Sequence, residues 1–348
     1  SSAVRHEADA PAAPLAHRKP YLVLLGDVQD SLTAKTAFGL RDWARNDVVG
    51  QWRCTTRTID LGLPDLTPHE ALRAGARSVV VGAAPSGGAL VPGWAKWLAE
   101  AALAGLDVIS GMHEPLSEHG ALLAAANCSG VNLFDIRTPP PNIPIGSGQK
   151  RSGKRVLTVG ADCAVGKKYA ALAIHREMLR RAWDVDFRAT GQTGIIIAGG
   201  GIPIDAVVSD FVAGAAETLS PKAARHHWDV IEGQGSLFHP SYAGVSLGLL
   251  HGSQPDWIVY CHSLSRTEID GCPGFLLPDV ETGLARNLEA ARLTNVNVRA
   301  AGISVNTSDL CEQDARHTLT NLAEQYHMPA FDPLRFGVEG VVDRMAAA

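Results

Sequence analysis

The chain lacks most of the signals that assign a protein quickly. None of its six cysteines (Cys54, Cys128, Cys163, Cys261, Cys272 and Cys311) forms a CxxC pair. That argues against a structural zinc site and a secreted disulfide framework, and reads as reduced thiols in a cytoplasmic protein. There is no HExxH, and His226-His227 and His251 have no zinc-ligand spacing, so no metal is expected. No apolar stretch reaches the roughly 18–20 uncharged residues of a membrane span. The Ala- and Pro-rich start, 1–20, lacks the apolar centre of a signal peptide and is expected to be a disordered arm. Net charge is −5 and long basic runs are missing, so neither nucleic acid nor an anionic membrane surface is an expected partner.

What is present is ordinary globular material: 348 residues, 46% hydrophobic and 19% charged, enough for two cores. Short apolar runs alternate with helical spacings. Tyr21–Leu25, Ser78–Val81, Leu106–Ile109 and Val131–Phe134 read as strands. Ser31 is expected to cap a helix through Trp43, Trp94–Ala104 to be helical, and Ser117 to cap a helix towards Ala126. A second series follows. Val156–Val159, Val185–Arg188, Asp229–Ile231, Trp257–Tyr260 and Gly302–Val305 read as strands; Lys168–Arg181, Ile204–Leu219, Tyr242–Leu250 and Glu312–Gln325 read as helices. Such β–α alternation predicts parallel sheets covered by helices. Between the series, 138–153 is rich in Pro, Gly and basic residues, as a solvated linker would be. The expected organisation is therefore 1–20 arm, 21–137 first domain, 138–153 linker and 154–348 second domain.

The sharpest feature follows Val159: Gly160-Ala-Asp162-Cys163-Ala-Val165-Gly166-Lys167-Lys168. An apolar strand enters a glycine-bounded loop that opens a helix. Successive N–H groups can point at an anion, the helix adds its positive end, and Lys167 adds a full charge. This is a phosphate-gripping loop. Five residues separate its glycines, one more than in the standard Walker A loop, and the spacing resembles the GxDxxxGK loop of dethiobiotin synthetase-like enzymes. Position 168 matters more. A nucleotidase places Ser or Thr there to bind Mg²⁺, whereas Lys168 holds phosphate but cannot ligate a metal. Cys163 reads as a loop-packing residue, since no base can be assigned to it.

Other clusters fall at expected strand ends, where open parallel sheets bind ligands. Arg188-Ala-Thr-Gly191-Gln192-Thr193-Gly194 offers neutral donors and acceptors and should neighbour the phosphate loop. Glu232-Gly-Gln234-Gly-Ser236-Leu-Phe-His239-Pro240 gathers a carboxylate, an amide, a hydroxyl and an imidazole. Glu232 or His239 is a candidate general base. Asp205 and Asp210 are candidates to meet a substrate amine, with helix capping as the alternative. His262 and Arg266 follow another strand, and Arg266 is a candidate clamp for a substrate carboxylate. In the first domain, Gly26-Asp27 is not followed by GxGxxG, so dinucleotide binding has little support. Pro85-Ser-Gly-Gly88 is a further strand-end loop.

Taken in order, these motifs resemble the DUF1611 family. Carrying the resemblance are Leu25–Val28, Ala34–Ala37, Val159–Lys168, Ala189–Gly194, Asp205–Phe211, Glu232–Pro240, His251–Asp256 and Gly302–Asn306. It spans Tyr21 to about Gly337; Ala161 departs mildly from a threonine expected in many relatives. The resemblance implies an α/β protein of two domains, an N-terminal Rossmann-like parallel sheet and a C-terminal P-loop-type parallel sheet. It also implies N-acetyl transfer from acetyl-CoA to the α-amine of a D-amino acid, D-glutamate first. Gly160, Asp162, Cys163, Val165, Gly166, Lys167 and Lys168 would then bind the coenzyme phosphates. Glu232, His239 and Asp210 would be catalytic, and Gln192, Thr193, Gln234, Ser236 and Arg266 would meet the amino acid. Backbone N–H groups of Gly191–Gly194 or Gly233–Ser236 would hold the oxyanion. A homo-oligomer with a small-molecule substrate is expected. Two alternatives stay open: an ATP- and Mg²⁺-dependent ligase or kinase of the dethiobiotin synthetase type, and a non-catalytic sensor of nucleotide or CoA.

Overall fold

The computed structural model describes residues 15–31, 33–83, 89–90 and 92–347, and the chain forms two compact α/β units. The first comprises Leu15–Pro139 and Gly191–Ala206. Its strands up to Pro139 are β1 (Leu15–Ala16), β2 (Tyr21–Gly26), β3 (Val48–Arg53), β4 (Ser78–Val81), β5 (Asp107–Ser110) and β6 (Leu133–Asp135). Helices α1 (Lys35–Trp43), α2 (Pro68–Arg73), α3 (Pro92–Ala104) and α4 (Gly120–Ser129) connect them. A parallel sheet runs in the order β3-β2-β4-β5-β6. Its central strands are mostly apolar, as strands covered by helices are, and Leu22, Leu24, Val79, Val81, Leu98, Leu106 and Val108 belong to the core.

The second unit runs from Pro140 to Thr190 and again from Val207. It opens with β7 (Lys154–Gly160), α5 (Lys167–Arg180) and β8 (Val185–Arg188). The chain then leaves to add α6 (Gln192–Ala198) and β9 (Gly200–Gly201) to the first unit. On its return it makes α7 (Val212–Leu219), β10 (Trp228–Ile231), α8 (Ala243–Ser253), β11 (Trp257–His262) and α9 (Val280–Arg292). The last elements are β12 (Arg299–Val305), α10 (Glu312–Tyr326), β13 (Ala330–Phe331) and α11 (Glu339–Ala346). All six strands are parallel, in the order β13-β12-β11-β7-β10-β8. β7 is thus central, and α8 carries the chain from β10 on one side of it to β11 on the other. At such a reversal the loops beyond the strand ends diverge and leave room for a ligand.

Several expectations need correction. The stretch 1–20 is not an arm throughout, although 1–14 lies outside the described residues. β1 pairs antiparallel with β9, Arg18 bonds Asp107 at 2.6 Å, and Lys19 reaches Asp47 at 2.7 Å. The stretch 138–153 is not a free linker. Glu217 accepts the N–H groups of Ser147 and Gly148, and the Arg151 and Arg155 guanidiniums donate to the carbonyls of Ser220 and Pro221. The second domain is not continuous, because 191–206 belongs to the first unit. Ile204–Leu219 is broken into turns at Ile204–Ala206 and Ser209–Phe211 before α7, since the chain crosses between units at that point. Ser31 does not cap α1, which starts at Lys35; Asp30 takes the Thr33 N–H instead. Ser117 lies in a short turn, and α4 begins after His119. Pro85–Gly88 lies outside the described residues. No helix among the described residues is long and apolar enough to cross a membrane.

Candidate active site at the phosphate loop

The phosphate loop forms where β7 ends. Ala164 and Gly166 take positive φ, 51° and 96°, which curls the backbone so that successive N–H groups turn inward. Gly166 caps α5, and Ala170 is the first residue whose N–H reaches back within the helix, to Gly166. The N–H groups of the first turn are therefore not taken up by the helix. Lys167 is buried and folds back over the loop, its Nζ donating to the Asp162 carbonyl at 2.6 Å. Burial pushes its pKa below the usual lysine value, against the attraction of Cys261, Cys163 and Asp162.

Asp162 and Arg266 were expected to meet coenzyme and substrate separately, but the structure joins them. The Arg266 guanidinium donates to Asp162 Oδ2 at 3.1 Å, to the Cys163 carbonyl at 2.9 Å and to the Ala164 carbonyl at 3.1 Å. Asp162 also accepts the N–H groups of Cys163 and Asp270. This pair braces the loop from the segment after β11, and Arg266 also lines a cavity beside the loop. Cys163 is not an activated nucleophile, because burial pushes its thiol up.

The loop after β10 lies along the same sheet edge. Glu232 is buried; its Oε2 accepts the Thr190 N–H at 3.0 Å, and its carbonyl accepts the Thr190 hydroxyl at 2.7 Å. Gln234 Nε2 donates to the same hydroxyl at 3.2 Å, and Ser236 Oγ donates to the Gly160 carbonyl at 2.9 Å. Burial lowers the pKa of Lys168, while the charge of Glu232 favours its ammonium form. Gly233 passes so close to β7 that an added Cβ would stand 1.7 Å from the Thr158 carbonyl oxygen. Gly233→Ala is expected to destabilise the protein by about 1–3 kcal/mol, as a lower urea midpoint will show.

His239 has a defined tautomer. Its Nδ1 accepts the Ser241 N–H at 3.0 Å, so the neutral ring carries its proton on Nε2. Nε2 faces Cys272 Sγ at 3.9 Å, and the ring stacks on Tyr242 at 4.4 Å between centroids. In this state His239 donates at Nε2 and is not a base there, contrary to one expectation. The same geometry bears on the Asp162, Cys163 and His239 cluster, whose ligand atoms lie within 4.8 Å of one another. Both Asp162 oxygens already accept hydrogen bonds and the His239 Nδ1 lone pair is taken by the Ser241 N–H, so these groups do not fit a metal.

Gln192, Thr193 and Asp210 are the remaining expected site residues. Gln192 and Thr193 open α6 in the first unit, where the Gln192 amide is engaged by Gly111 and Arg137. Of that motif, Thr190 meets Glu232 and Gln234 directly. Asp210 is exposed in the turn before α7, with no hydrogen-bond or ion-pair partner among the described residues; Asp205 pairs with Arg137 at 3.5 Å. A cavity of about 220 Å³ lies beside the loop, lined by Gly166, Tyr169, Asn306, Asp332 and the expected strand-end residues His262 and Arg266 among others, of which Asn306 and Asp332 were not singled out as site residues. Its signal was positional, since Asn306 and Asp332 directly follow β12 and β13.

A buried lysine-bearing loop at the centre of a parallel sheet defines the second unit as a P-loop α/β domain. The chain matches the P-loop domain model DUF1611_C, a domain of unknown function, over residues 144–342, and the Rossmann-like domain model DUF1611_N, also of unknown function, over 47–139. It belongs to the DUF1611 family. A protein of Pseudoalteromonas sp. named D-glutamate N-acetyltransferase is 46% identical to it over 93% of this chain and 98% of the relative. Another of that name, from Tritonibacter scottomollicae, is 45% identical over 94% and 98%. The crystal structure of a DUF1611 family protein from Anabaena variabilis superposes with a TM-score of 0.81 at 29% identity, covering 95% of this chain and 100% of that one.

Proposed function

We propose that this protein transfers the acetyl group of acetyl-CoA to the α-amine of D-glutamate. Identity of 45–46% to two relatives of that name, over nearly the whole length of each, carries the reading. The site supports it. The loop N–H groups with Lys167 and Lys168 hold the coenzyme phosphates, and the cavity at Asn306 takes the adenosine end. Glu232 accepts a proton from the substrate ammonium. The freed nitrogen lone pair attacks the thioester carbonyl, the carbon–sulfur bond breaks, and the departing thiolate becomes the thiol by taking up the second proton that the nitrogen gives up as the amide forms. The N–H groups of Gln234 and Gly235, which have no protein acceptor among the described residues, stabilise the oxyanion.

Mixing the protein with acetyl-CoA and a panel of D- and L-amino acids, then measuring products by mass spectrometry, tests this. N-acetyl-D-glutamate and free CoA thiol should appear in equal amounts. Absence of any acetylated amino acid, with ADP formed from ATP and Mg²⁺ instead, would replace the reading with an ATP-dependent one.

A further inference from the structure

P-loop folds ordinarily seat Mg²⁺ between the hydroxyl after the loop lysine and a carboxylate on a neighbouring strand. The groups present here do not fit that ion. At the hydroxyl position stands Lys168, whose ammonium has three donors and no lone pair. The strand-end carboxylate is Glu232, just beyond β10, which pairs directly with β7. Its Oε2 accepts the Thr190 N–H at 3.0 Å, and its charge acts on the Lys168 ammonium. The other nearby carboxylate, Asp162, is taken up by Arg266 and two backbone N–H groups.

We infer that Lys168 supplies from within the chain the positive charge that P-loop folds take from Mg²⁺, so that the loop holds a nucleotide pyrophosphate without metal. Two lysines in succession bring two positive charges. Those match the two negative charges of a pyrophosphate diester and fall short of a triphosphate, which needs a dication for neutrality. The inference rests on the proposed function only for the choice of coenzyme A as ligand.

Calorimetric titration of the full chain with coenzyme A, and separately with ATP, in EDTA and in Mg²⁺ tests it. The wild-type Kd for coenzyme A should be the same in both buffers. Lys168→Thr should weaken binding roughly ten- to a hundredfold in EDTA and regain several-fold in Mg²⁺, since it restores a hydroxyl. Lys168→Met should lose as much, with no recovery. A wild-type Kd for coenzyme A that tightens several-fold with Mg²⁺ overturns the inference, as does a Lys168→Thr protein that binds equally well in EDTA, or a wild type that binds neither ligand. If a variant does not fold, the wild-type comparison decides alone. Metal-free binding of ATP but not coenzyme A would overturn both the inference and the acetyl-CoA reading; coenzyme A binding that requires Mg²⁺ would overturn the inference alone; metal-free coenzyme A binding with no acetylated product in the amino-acid panel would sink the acetyl-CoA reading alone.

Discussion

Replacing Lys167 by methionine is expected to raise the KM for acetyl-CoA by roughly ten- to a hundredfold, with a much smaller change in kcat. Methionine keeps most of the buried stem and removes only the ammonium, so the loop backbone should persist. The loss follows from where the charge sits. Lys167 is buried against the loop carbonyl of Asp162, and a charge with little water around it interacts strongly with an incoming phosphate. Burial also holds its pKa down, whereas a bound phosphate favours the charged form. Acetyl-CoA binding therefore takes up a proton once the pH passes that depressed pKa. Affinity should weaken as the pH rises through it, and the methionine variant should lose that dependence. Steady-state kinetics across pH checks both statements; an unchanged KM would remove the loop from coenzyme binding.

Glu232→Gln is expected to lower kcat by roughly a hundred- to ten-thousandfold, the usual contribution of a general base. The KM for acetyl-CoA should stay within a few-fold. Glutamine keeps the shape and an oxygen for the Thr190 N–H, so the fold should survive. It cannot take the proton of the substrate ammonium. What activity remains should climb with pH towards the range in which an α-amine deprotonates by itself, because only the free amine reacts. The other candidate base, His239, has its Nδ1 lone pair already occupied by the Ser241 N–H. A Glu232→Gln protein with near wild-type kcat and an unshifted pH profile would show that the proton goes elsewhere.

The central strand, its loop and the helix beyond were legible because each obeys local rules. Val156–Val159 is apolar, the glycines allow the curl, and the lysines follow at once. The strand-end cluster from Glu232 was legible for the same reason. Partnerships across long separations were not. Arg266 and Asp162 lie 104 residues apart, and nothing in either segment announces the other. Local signals were also overlooked. Thr67-Pro68-His69-Glu70 is a capping box with proline at the first turn, and α2 starts there. Asp279 caps α9 through the Thr282 N–H at 2.7 Å. The destination of α6 was illegible for another reason. Ile195, Ile196 and Ile197 are buried, yet an apolar run says only that it will be covered, not by which core.

The route of the chain has a consequence for how the protein is made. The first unit takes α6 and β9 from residues translated after β7, α5 and β8. A ribosome therefore releases strands of the second core before the last pieces of the first. The Tyr21 hydroxyl and the Lys19 ammonium must wait for the carbonyls of Ile196 and Ile197, which they bond at 2.8 and 2.6 Å. Neither core can be completed in order of synthesis, as domains strung one after another usually are. A fragment cut between Pro139 and Pro140 would leave Tyr21 without its acceptor and β1 without its pairing strand, so the first unit is expected not to mature from residues 15–139 alone.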